Sequence, residues 1–422
     1  MTESCRRLAG FVRTGIATAT AICEDALERA RASAQLGAFW YVASVEALAA
    51  AKAVDAAVQR GRDPGRLAGV PVGVKDAFNV AGMPGGGGGP IRIAAQDALA
   101  VQRLRREGAV VLGKLAMHQL GWGMSGQTPG RPLCQNPYAP GRQPGGSSSG
   151  CAAAVAAETV PLALGADSGG SVRVPAAWCG VAGYKPTRAA VPTTGLLPLA
   201  DIFDTVGLVA RSVDDCLLAE AVLRGGPEQE LTPVSSLTLG VARRLVDRAQ
   251  PEVAAHCTRA LETLSDLGVR LVDVELPVRG IPLSSIYAAE LASVWANEVE
   301  ANPFAYGADV RNGVATGLGV SAVEYLRALR KVDRARREAR LAVDALACPA
   351  SQILPPALEA PDDVAAAGRY ARVFNMLDWP SLVVPCGSIE APVGLQFAGP
   401  PGREGVLFAL AVALEEALAV PV

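Results

Sequence analysis

The sequence contains very little histidine, since only His118 and His256 occur among its 422 residues. A metal site built on several histidines is therefore excluded, and a Ser-His-Asp relay would have to use one of these two residues. The nine cysteines include no CxxC pair and are odd in number, which is typical of a reducing compartment rather than of a disulfide framework. If a serine acts as a nucleophile in this chain, we expect a residue other than histidine to activate it.

Long hydrophobic runs and basic tracts are missing as well. No apolar run reaches the length of a membrane span, and a net charge of −2 without an unbroken basic tract argues against a nucleic acid partner. Arg6 and Arg7 begin a stretch that resembles a twin-arginine signal, but Arg13 interrupts it. We therefore expect a cytoplasmic protein that acts on a small molecule, without a membrane or nucleic acid partner and without a metal or organic cofactor. A homodimer is left open.

Apolar residues are abundant by contrast, and they alternate between strand and helix patterns. Half of the residues are hydrophobic and 19% are charged, so the chain can bury a large core. Apolar positions at helical spacing predict two or three helices within residues 14–60. Later helices are predicted over 97–107, 213–223, 251–267, 287–346 and 406–418, and strands over 68–76, 109–112, 237–245, 269–276, 381–385 and 393–398. This alternation predicts an α/β fold with a largely buried sheet.

Two clusters of glycine and serine, residues 145–150 and 168–171, enclose an apolar run over 151–165 that Pro161 interrupts. Glycine beside serine lets the backbone approach a ligand closely and adopt positive φ, so that N–H groups converge on a negative charge. A helix that starts after the first cluster would add its positive N-terminal end. Two flexible linkers are the alternative, but a pair of clusters around a helix-length segment favours a binding site.

A third feature is Lys75, which ends the predicted strand over 68–76 among apolar neighbours. An ordinary solvated lysine is the alternative here, but burial would lower its pKa toward neutrality and make it a usable base. The run of five glycines over 85–89 is interpreted as a mobile loop. The spacing of residues 108–114 fits the start of a P-loop, which we reject because Leu115 stands where serine or threonine should bind magnesium.

These segments together resemble the amidase signature family. The resemblance rests on GVPVGVKD from Gly69, GGSSSGCAAAVA from Gly145 and GADSGGSVRVPAAWCGVAGYKPT from Gly165, and it extends over roughly residues 15–420. It implies a single large α/β domain with a mixed, mostly buried central β-sheet flanked by helices. It also implies that Lys75 and Ser147 match the family's lysine and cis-serine and that Ser171 matches the nucleophile.

The resemblance assigns chemistry to these residues. Ser171 would attack an amide carbonyl and form an acyl-enzyme, while its proton passes through Ser147 to a neutral Lys75. The N–H groups that would form the oxyanion hole belong to Ser168, Gly169, Gly170 and Ser171. The residues expected to support the two loops are Gly146, which would precede a cis peptide bond, Ser148, Asp167 and Arg173.

No linker or internal repeat divides the chain, so we expect one domain over residues 1–422. Residues 1–60 would form an N-terminal helical segment. Residues 61–215 would hold the signature core with the catalytic residues, and residues 216–422 would complete the sheet and the substrate pocket.

Other assignments of the same residues were considered. Ser148 formally fits a GxSxG nucleophile, but prolines precede it where that α/β-hydrolase fold requires a strand, and only His256 follows. Cys151 has no histidine or acidic residue beside it that would activate a thiol, so we expect a structural role. A scaffold that binds without turnover would not need Lys75, Ser147 and Ser171.

The predicted function is that of an amidase acting on the linear carboxamide of a small molecule. One alternative is an amidotransferase component that works in a multi-subunit complex, against which Val174 counts, because glutamine is common there in the corresponding chains of glutamyl-tRNA amidotransferases. A ureido-acid hydrolase is the other alternative, if Arg311 turns into the pocket. The resemblance implies pocket walls from residues near 124–128, 194–203 and 374–375, and the few charges there favour a neutral or apolar amide.

Overall fold

One large sheet runs through the molecule. The computed structural model of the chain describes residues 3–276 and 281–419. Its strands are β1 Phe39–Val42, β2 Pro71–Lys75, β3 Pro84–Gly85, β4 Arg92–Ile93, β5 Val110–Leu115, β6 Leu162–Ala166, β7 Ala182–Lys185, β8 Val206–Ala210, β9 Thr238–Val241, β10 Arg270–Asp273, β11 Ala345–Pro349, β12 Ser381–Pro385 and β13 Gly394–Ala398. Eleven of these strands form the sheet in the order β1-β5-β2-β6-β8-β7-β12-β13-β11-β9-β10, while β3 and β4 form a separate pair.

The sheet is mixed. Strand β2 runs parallel to β5 and β6, and β9 runs parallel to β10 and β11, whereas the other pairs are antiparallel. Every residue of β2, β5, β6 and β8 is buried, as expected for strands of a sheet that helices cover on both faces. The predicted fold class, an α/β domain with a mixed and mostly buried sheet, is confirmed.

Helices flank the sheet along the whole chain. They are α1 Cys5–Thr14, α2 Ala19–Ala32, α3 Ser44–Gln59, α4 Leu99–Arg106, α5 Ser149–Ala156, α6 Arg173–Trp178, α7 Val213–Arg224, α8 Arg243–Asp247, α9 Pro251–Asp266, α10 Leu283–Ala301, α11 Ala308–Leu318, α12 Ala322–Glu338, α13 Val364–Gly368, α14 Arg372–Met376 and α15 Glu404–Leu418. Local chemistry sets several of their ends. For example, the Ser212 hydroxyl accepts from Asp215 N at the start of α7, and Gly225 in the left-handed region ends it. None of the described helices combines the length and apolar character needed to cross a bilayer.

The predicted elements with strong periodicity are close to those observed, as for α7, α9, α15, β12 and β13. The apolar run over 151–165 is instead divided between α5 and β6, because the chain turns after Ala156 and resumes as a strand beyond Pro161. The predicted strand over 237–245 stops at Val241 and continues as α8. Residues 287–346 contain the predicted helices but end in β11, which was not predicted. β11 contains no β-branched or aromatic residue, so its pairing with β9 and β13 defines it as a strand.

The parallel pairing of β2 with β6 positions the functional residues. In register, Val72 faces Leu162 and Val74 faces Leu164, so the two strands end at the same edge of the sheet. Lys75 is the last residue of β2, and the second Gly/Ser cluster begins two residues after β6 ends at Ala166. Because parallel strands leave a sheet side by side, Lys75 and this cluster are neighbours in space.

Candidate active site

Lys75 is buried at the end of β2 and forms two hydrogen bonds. Its Nζ donates to Ser147 Oγ at 2.8 Å and to Ala166 O at 3.1 Å, and the residue is 2% exposed. Among the described residues, no carboxylate lies within ion-pair distance of this nitrogen. Burial lowers the pKa of Lys75 to about 8, although the more distant charges of Asp167 and Asp204 act in the opposite direction.

The first Gly/Ser cluster carries Ser147 toward this lysine. The peptide bond between Gly146 and Ser147 is cis, as the resemblance implied. The next serine, Ser148, is fully buried; its N–H donates to Ser171 O at 3.0 Å and its hydroxyl to Ala166 O at 3.2 Å. Ser148 therefore ties the two clusters together, which explains its place in the sequence without a nucleophilic role.

The second cluster is shaped around a buried ion pair. The Asp167 carboxylate accepts from Gly170 N at 2.8 Å and from Val172 N at 3.1 Å. It also accepts from Nε and Nη2 of Arg173 at 2.9 and 2.8 Å, and both side chains are fully buried. Burial alone would raise the pKa of Asp167, but Arg173 and Asn375 outweigh it and hold this pKa well below its usual range. The pair thus fixes the backbone on both sides of Ser171.

The N–H groups of the second cluster differ from one another. Gly170 was expected to contribute to the oxyanion hole, but in this structure its N–H donates to Asp167 at 2.8 Å and is not available to a ligand. Gly170 serves the turn instead: its φ is 109°, and a Cβ there would lie 2.7 Å from the Cβ of Ala371. Within the described parts of the chain, the N–H groups of Ser168, Gly169 and Ser171 have no protein acceptor, which leaves them for a ligand.

Ser171 lines a cavity of about 260 Å³. Apolar side chains of Trp122, Met124 and Leu199 form part of its wall, together with Arg372. The structure does not contain a Ser171–Ser147 hydrogen bond among the described residues, and the two serines are linked through Ser148. The site therefore has two parts. One is the buried Lys75–Ser147 pair, and the other is Ser171, which lines the cavity.

The cavity walls were predicted only in part. Met124 and Leu199 come from two of the segments expected to line it, whereas neither residue of the third segment, 374–375, is part of the wall. Phe374 is buried and stacks near Trp379, with ring centres 6.4 Å apart, and Asn375 donates to Asp167. Arg372, two residues earlier, lines the cavity in their place.

Arg311 does not line this cavity. Its Nη1 donates to the carbonyls of Pro303 and Tyr306 instead. The observation on which a ureido-acid hydrolase depended, an inward Arg311, is therefore not met.

The chain matches a known protein family over most of its length. The model of the family described as Amidase matches residues 21–408. The chain belongs to the amidase family. The A subunit of the glutamyl-tRNA(Gln) amidotransferase from Anaeromyxobacter dehalogenans (strain 2CP-C) is 35% identical to it, with 99% of this chain and 97% of the relative aligned.

Solved structures agree with this family. One described as an amidase has a TM-score of 0.93 and 32% identity to this member, over 98% of this chain and 99% of the other. The native peptide amidase from Stenotrophomonas maltophilia has a TM-score of 0.84 and 26% identity, over 98% and 96%. This amidase-family chain is an enzyme of the amide-hydrolase class.

One functional contact in this amidase was missed from the sequence. His118 is buried, and its Nε2 lies 2.6 Å from Asp309 Oδ2, while its Nδ1 lies 3.2 Å from Ser125 Oγ and 3.6 Å from Asp362 Oδ2. Asp362 in turn accepts from Met124 N at 2.7 Å. The cluster holds the segment that supplies Met124 to the cavity. No local pattern signals it, since its carboxylates are distant in sequence.

The remaining expectations concern thiols, metals and the glycine run. Cys151 is fully buried, and burial raises the pKa of its thiol to about 12, which agrees with a structural role. Among the described residues of this amidase, no group of three or more His, Cys, Asp or Glu could hold a metal ion.

The run over 85–89 is attached at several points, with Gly88 N donating to Asp76 and Gly87 O accepting from Leu120 N. It is therefore packed rather than the loose loop its composition suggested.

Proposed function

We propose that the chain hydrolyses the carboxamide of a small molecule through an acyl-enzyme on Ser171, with Ser147 and Lys75 as the proton relay. The observation that carries the proposal is the 2.8 Å hydrogen bond between the buried Lys75 Nζ and Ser147 Oγ. Because burial lowers the pKa of this lysine to about 8, a substantial fraction of it is neutral near pH 8 and can accept a proton.

In the first step Ser171 Oγ bonds to the amide carbon. The serine proton moves to Ser147 Oγ while the Ser147 proton moves to Lys75 Nζ, so the lysine becomes an ammonium and the carbonyl oxygen becomes an oxyanion. The N–H groups of Gly169 and Ser171, which have no protein acceptor in the described structure, would stabilise that oxyanion. A movement of the Ser171 hydroxyl toward Ser147 on substrate binding would complete the relay.

In the second step the C–N bond breaks. Lys75 returns a proton through Ser147 to the leaving nitrogen, which departs as a neutral amine or ammonia, and Ser171 remains acylated. A water molecule then repeats the sequence: it attacks the ester carbon, its proton follows the same relay, and Ser171 leaves as the alcohol. The Asp167–Arg173 pair takes no proton in this scheme; it positions the loop that carries Ser171.

A labelling experiment tests the nucleophile. We expect a fluorophosphonate to attach to Ser171, and we expect Ser171→Ala to abolish both the labelling and the release of amine from a panel of aryl, alkyl and ureido amides. Ser149→Ala is the matched control, because Ser149 belongs to the same Gly/Ser cluster and has no chemical role here. Turnover by Ser171→Ala within tenfold of the wild type, with an unchanged melting profile, would remove Ser171 from this role.

A component of an amidotransferase complex is the second candidate. It is supported by the 35% identity to the amidotransferase chain from Anaeromyxobacter dehalogenans over nearly the full length of both proteins. The purified chain distinguishes the two functions. Amide hydrolysis at comparable rates with and without added partner proteins favours the hydrolase, whereas activity that appears only with a co-purified partner favours the amidotransferase.

A further inference from the structure

The cavity beside Ser171 contains a single type of charge. Of the described residues that line it, Arg372 is the cation, and none is an aspartate or glutamate. The wall also carries the hydroxyls of Ser284, Tyr287 and Thr316, of which Tyr287 and Thr316 already donate to Ser168 O and Asn312 O. Among the described residues that line it, the cavity therefore presents one positive centre and no carboxylate, and the nearest acidic influence on Arg372 is that of Asp362.

Arg372 is held close to the reacting loop. Ala371, the residue before it, accepts from Arg173 Nη1 at 2.9 Å, so the buried ion pair also fixes the backbone of Arg372. A Cβ placed on Gly169 would lie 3.3 Å from Arg372 Cγ and 3.6 Å from its Nε. Gly169 is two residues from Ser171 in the chain, and Ser171 and Arg372 line the same cavity, so a ligand in this cavity can reach both side chains.

The surroundings of Arg372 make an anionic ligand favourable. Arg372 loses hydration by burial in a cavity whose wall includes Trp122 and Met124, and an anion bound there would interact with it in a low-dielectric site. Asp362 attracts Arg372 electrostatically, but its Oδ2 also accepts from Met124 N. A guanidinium has five N–H donors in a planar fork, so it can keep a protein partner and still bind a carboxylate.

We propose that Arg372 binds an anionic group, a carboxylate in the simplest case, on the acyl part of the substrate. The substrate class is then the monoamide of a dicarboxylic acid or a similar acidic amide. This inference rests on the proposed hydrolysis at Ser171, and it replaces the neutral amide that the sequence favoured. The residue that would bind a charged group of the substrate is then Arg372, at the start of α14, rather than Arg311 on α11.

The test compares matched substrates. Monoamides of succinic, glutaric and adipic acid are assayed beside neutral alkyl amides of the same chain length, and kcat and KM are measured for each. We expect Arg372→Met to lower kcat/KM for the acidic amides by about 10- to 100-fold, mostly through KM, because a charge-assisted pair remote from the reacting bond is lost. Neutral amides should change by less than about threefold, and Arg372→Lys should recover part of the loss.

Arg369→Met is the control, since Arg369 lies three residues earlier and is exposed. It should leave both substrate classes unchanged. As an independent measurement, acidic amides should raise the melting temperature of the Ser171→Ala protein more than neutral amides do.

Two results would overturn the inference: a wild-type preference for neutral amides, or an equal loss for both classes in Arg372→Met. Either leaves the proposed function standing as long as some amides are hydrolysed. Failure of the proposed function has a different signature, which is no turnover of any amide and no fluorophosphonate label on Ser171.

Discussion

Lys75 and Lys114 are two buried lysines on neighbouring parallel strands, and they differ in whether a carboxylate lies beside the side-chain nitrogen. In the register of β2 and β5, Lys75 faces Leu115 and Val74 faces Lys114, and the two lysines are 2% and 1% exposed. Burial lowers the pKa of both. Lys75 Nζ meets a hydroxyl and a carbonyl, whereas Lys114 Nζ lies 3.5 Å from a carboxylate oxygen of Asp76, which opposes the effect of burial.

The carboxylate belongs to Asp76, which follows Lys75 directly and begins the turn after β2. Its oxygens lie 3.5 Å from Lys114 Nζ and 3.2 Å from Arg131 Nη1, so it pairs with these two residues rather than with its neighbour in sequence. The comparison shows one buried lysine without a carboxylate beside it, as the proposed base requires, and one that pairs with a carboxylate.

The largest expected effect is on activity, which should depend strongly on Lys75 and much less on Lys114. Lys75→Met should lower kcat/KM by about 10³-fold, the usual contribution of general acid–base catalysis. Lys75→Arg should be nearly as poor, because arginine keeps its charge at any accessible pH. Lys114→Met should stay within about tenfold of the wild type per folded molecule. Steady-state kinetics on protein checked by circular dichroism measure this. An active Lys75→Arg enzyme would mean that position 75 supplies only charge, and the relay would be wrong.

The second effect is on the free energy of unfolding, where replacing Lys114 should cost more than replacing Lys75. Lys114→Met leaves the buried Asp76 with Arg131 alone, so we expect a loss of about 2 kcal/mol, below the roughly 3 kcal/mol typical of a fully broken buried pair. Lys75→Met should cost little or raise stability at neutral pH. The reason is that the folded protein, with a lowered pKa at Lys75, binds that proton less tightly than the unfolded chain does.

Urea unfolding measures both variants, and Lys52→Met at an exposed position serves as the control. A Lys75→Met protein less stable than Lys114→Met would contradict the assignment of Lys114 as the structural cation. Combining Lys114→Met with Asp76→Asn should recover part of the loss, because the unpaired charge is then gone.

The smallest effect concerns pH. Only the neutral amine of Lys75 can accept a proton, so kcat/KM should increase as pH rises through its pKa of about 8 and then level off. The expected increase between pH 7 and pH 8 is about fivefold, as the neutral fraction grows. Lys114→Met should keep the same midpoint. A profile that is flat, or that decreases over this interval, would contradict a neutral Lys75 as the base.

Much of the site could be predicted from local sequence. The apolar approach to Lys75 predicts a buried lysine, and the two Gly/Ser clusters predict loops with available N–H groups. The resemblance added the cis peptide before Ser147, which the structure contains. The roles assigned to Ser147 and Ser171 stay predictions until variants are assayed.

The orientation of two arginines could not be predicted in this way. Arg311 and Arg372 both lie on helices of the C-terminal half, and nothing in their local sequence says which one reaches the cavity. The side chain of Arg311 folds back on carbonyls of its own segment, whereas Arg372 passes over Gly169. The missed strand β11 has the same cause, since its partners β9 and β13 are remote in sequence.

The sequence by itself determined the kind of chain and the chemical groups that it carries: an α/β core, a lysine among valines and two loops rich in glycine and serine. These depend on spacing and composition, which act over a few residues. Only the tertiary structure decided which groups meet. Asp167 joined Arg173 rather than Lys75, Gly170 gave its N–H to Asp167, and Arg372 entered the cavity. The first two pairings are local in sequence, but distant residues bury them, since Arg173 also donates to Ala371 O and to the side chains of Asn375 and Gln396. The third joins distant segments directly, and in each case burial makes one pairing more favourable than its competitors.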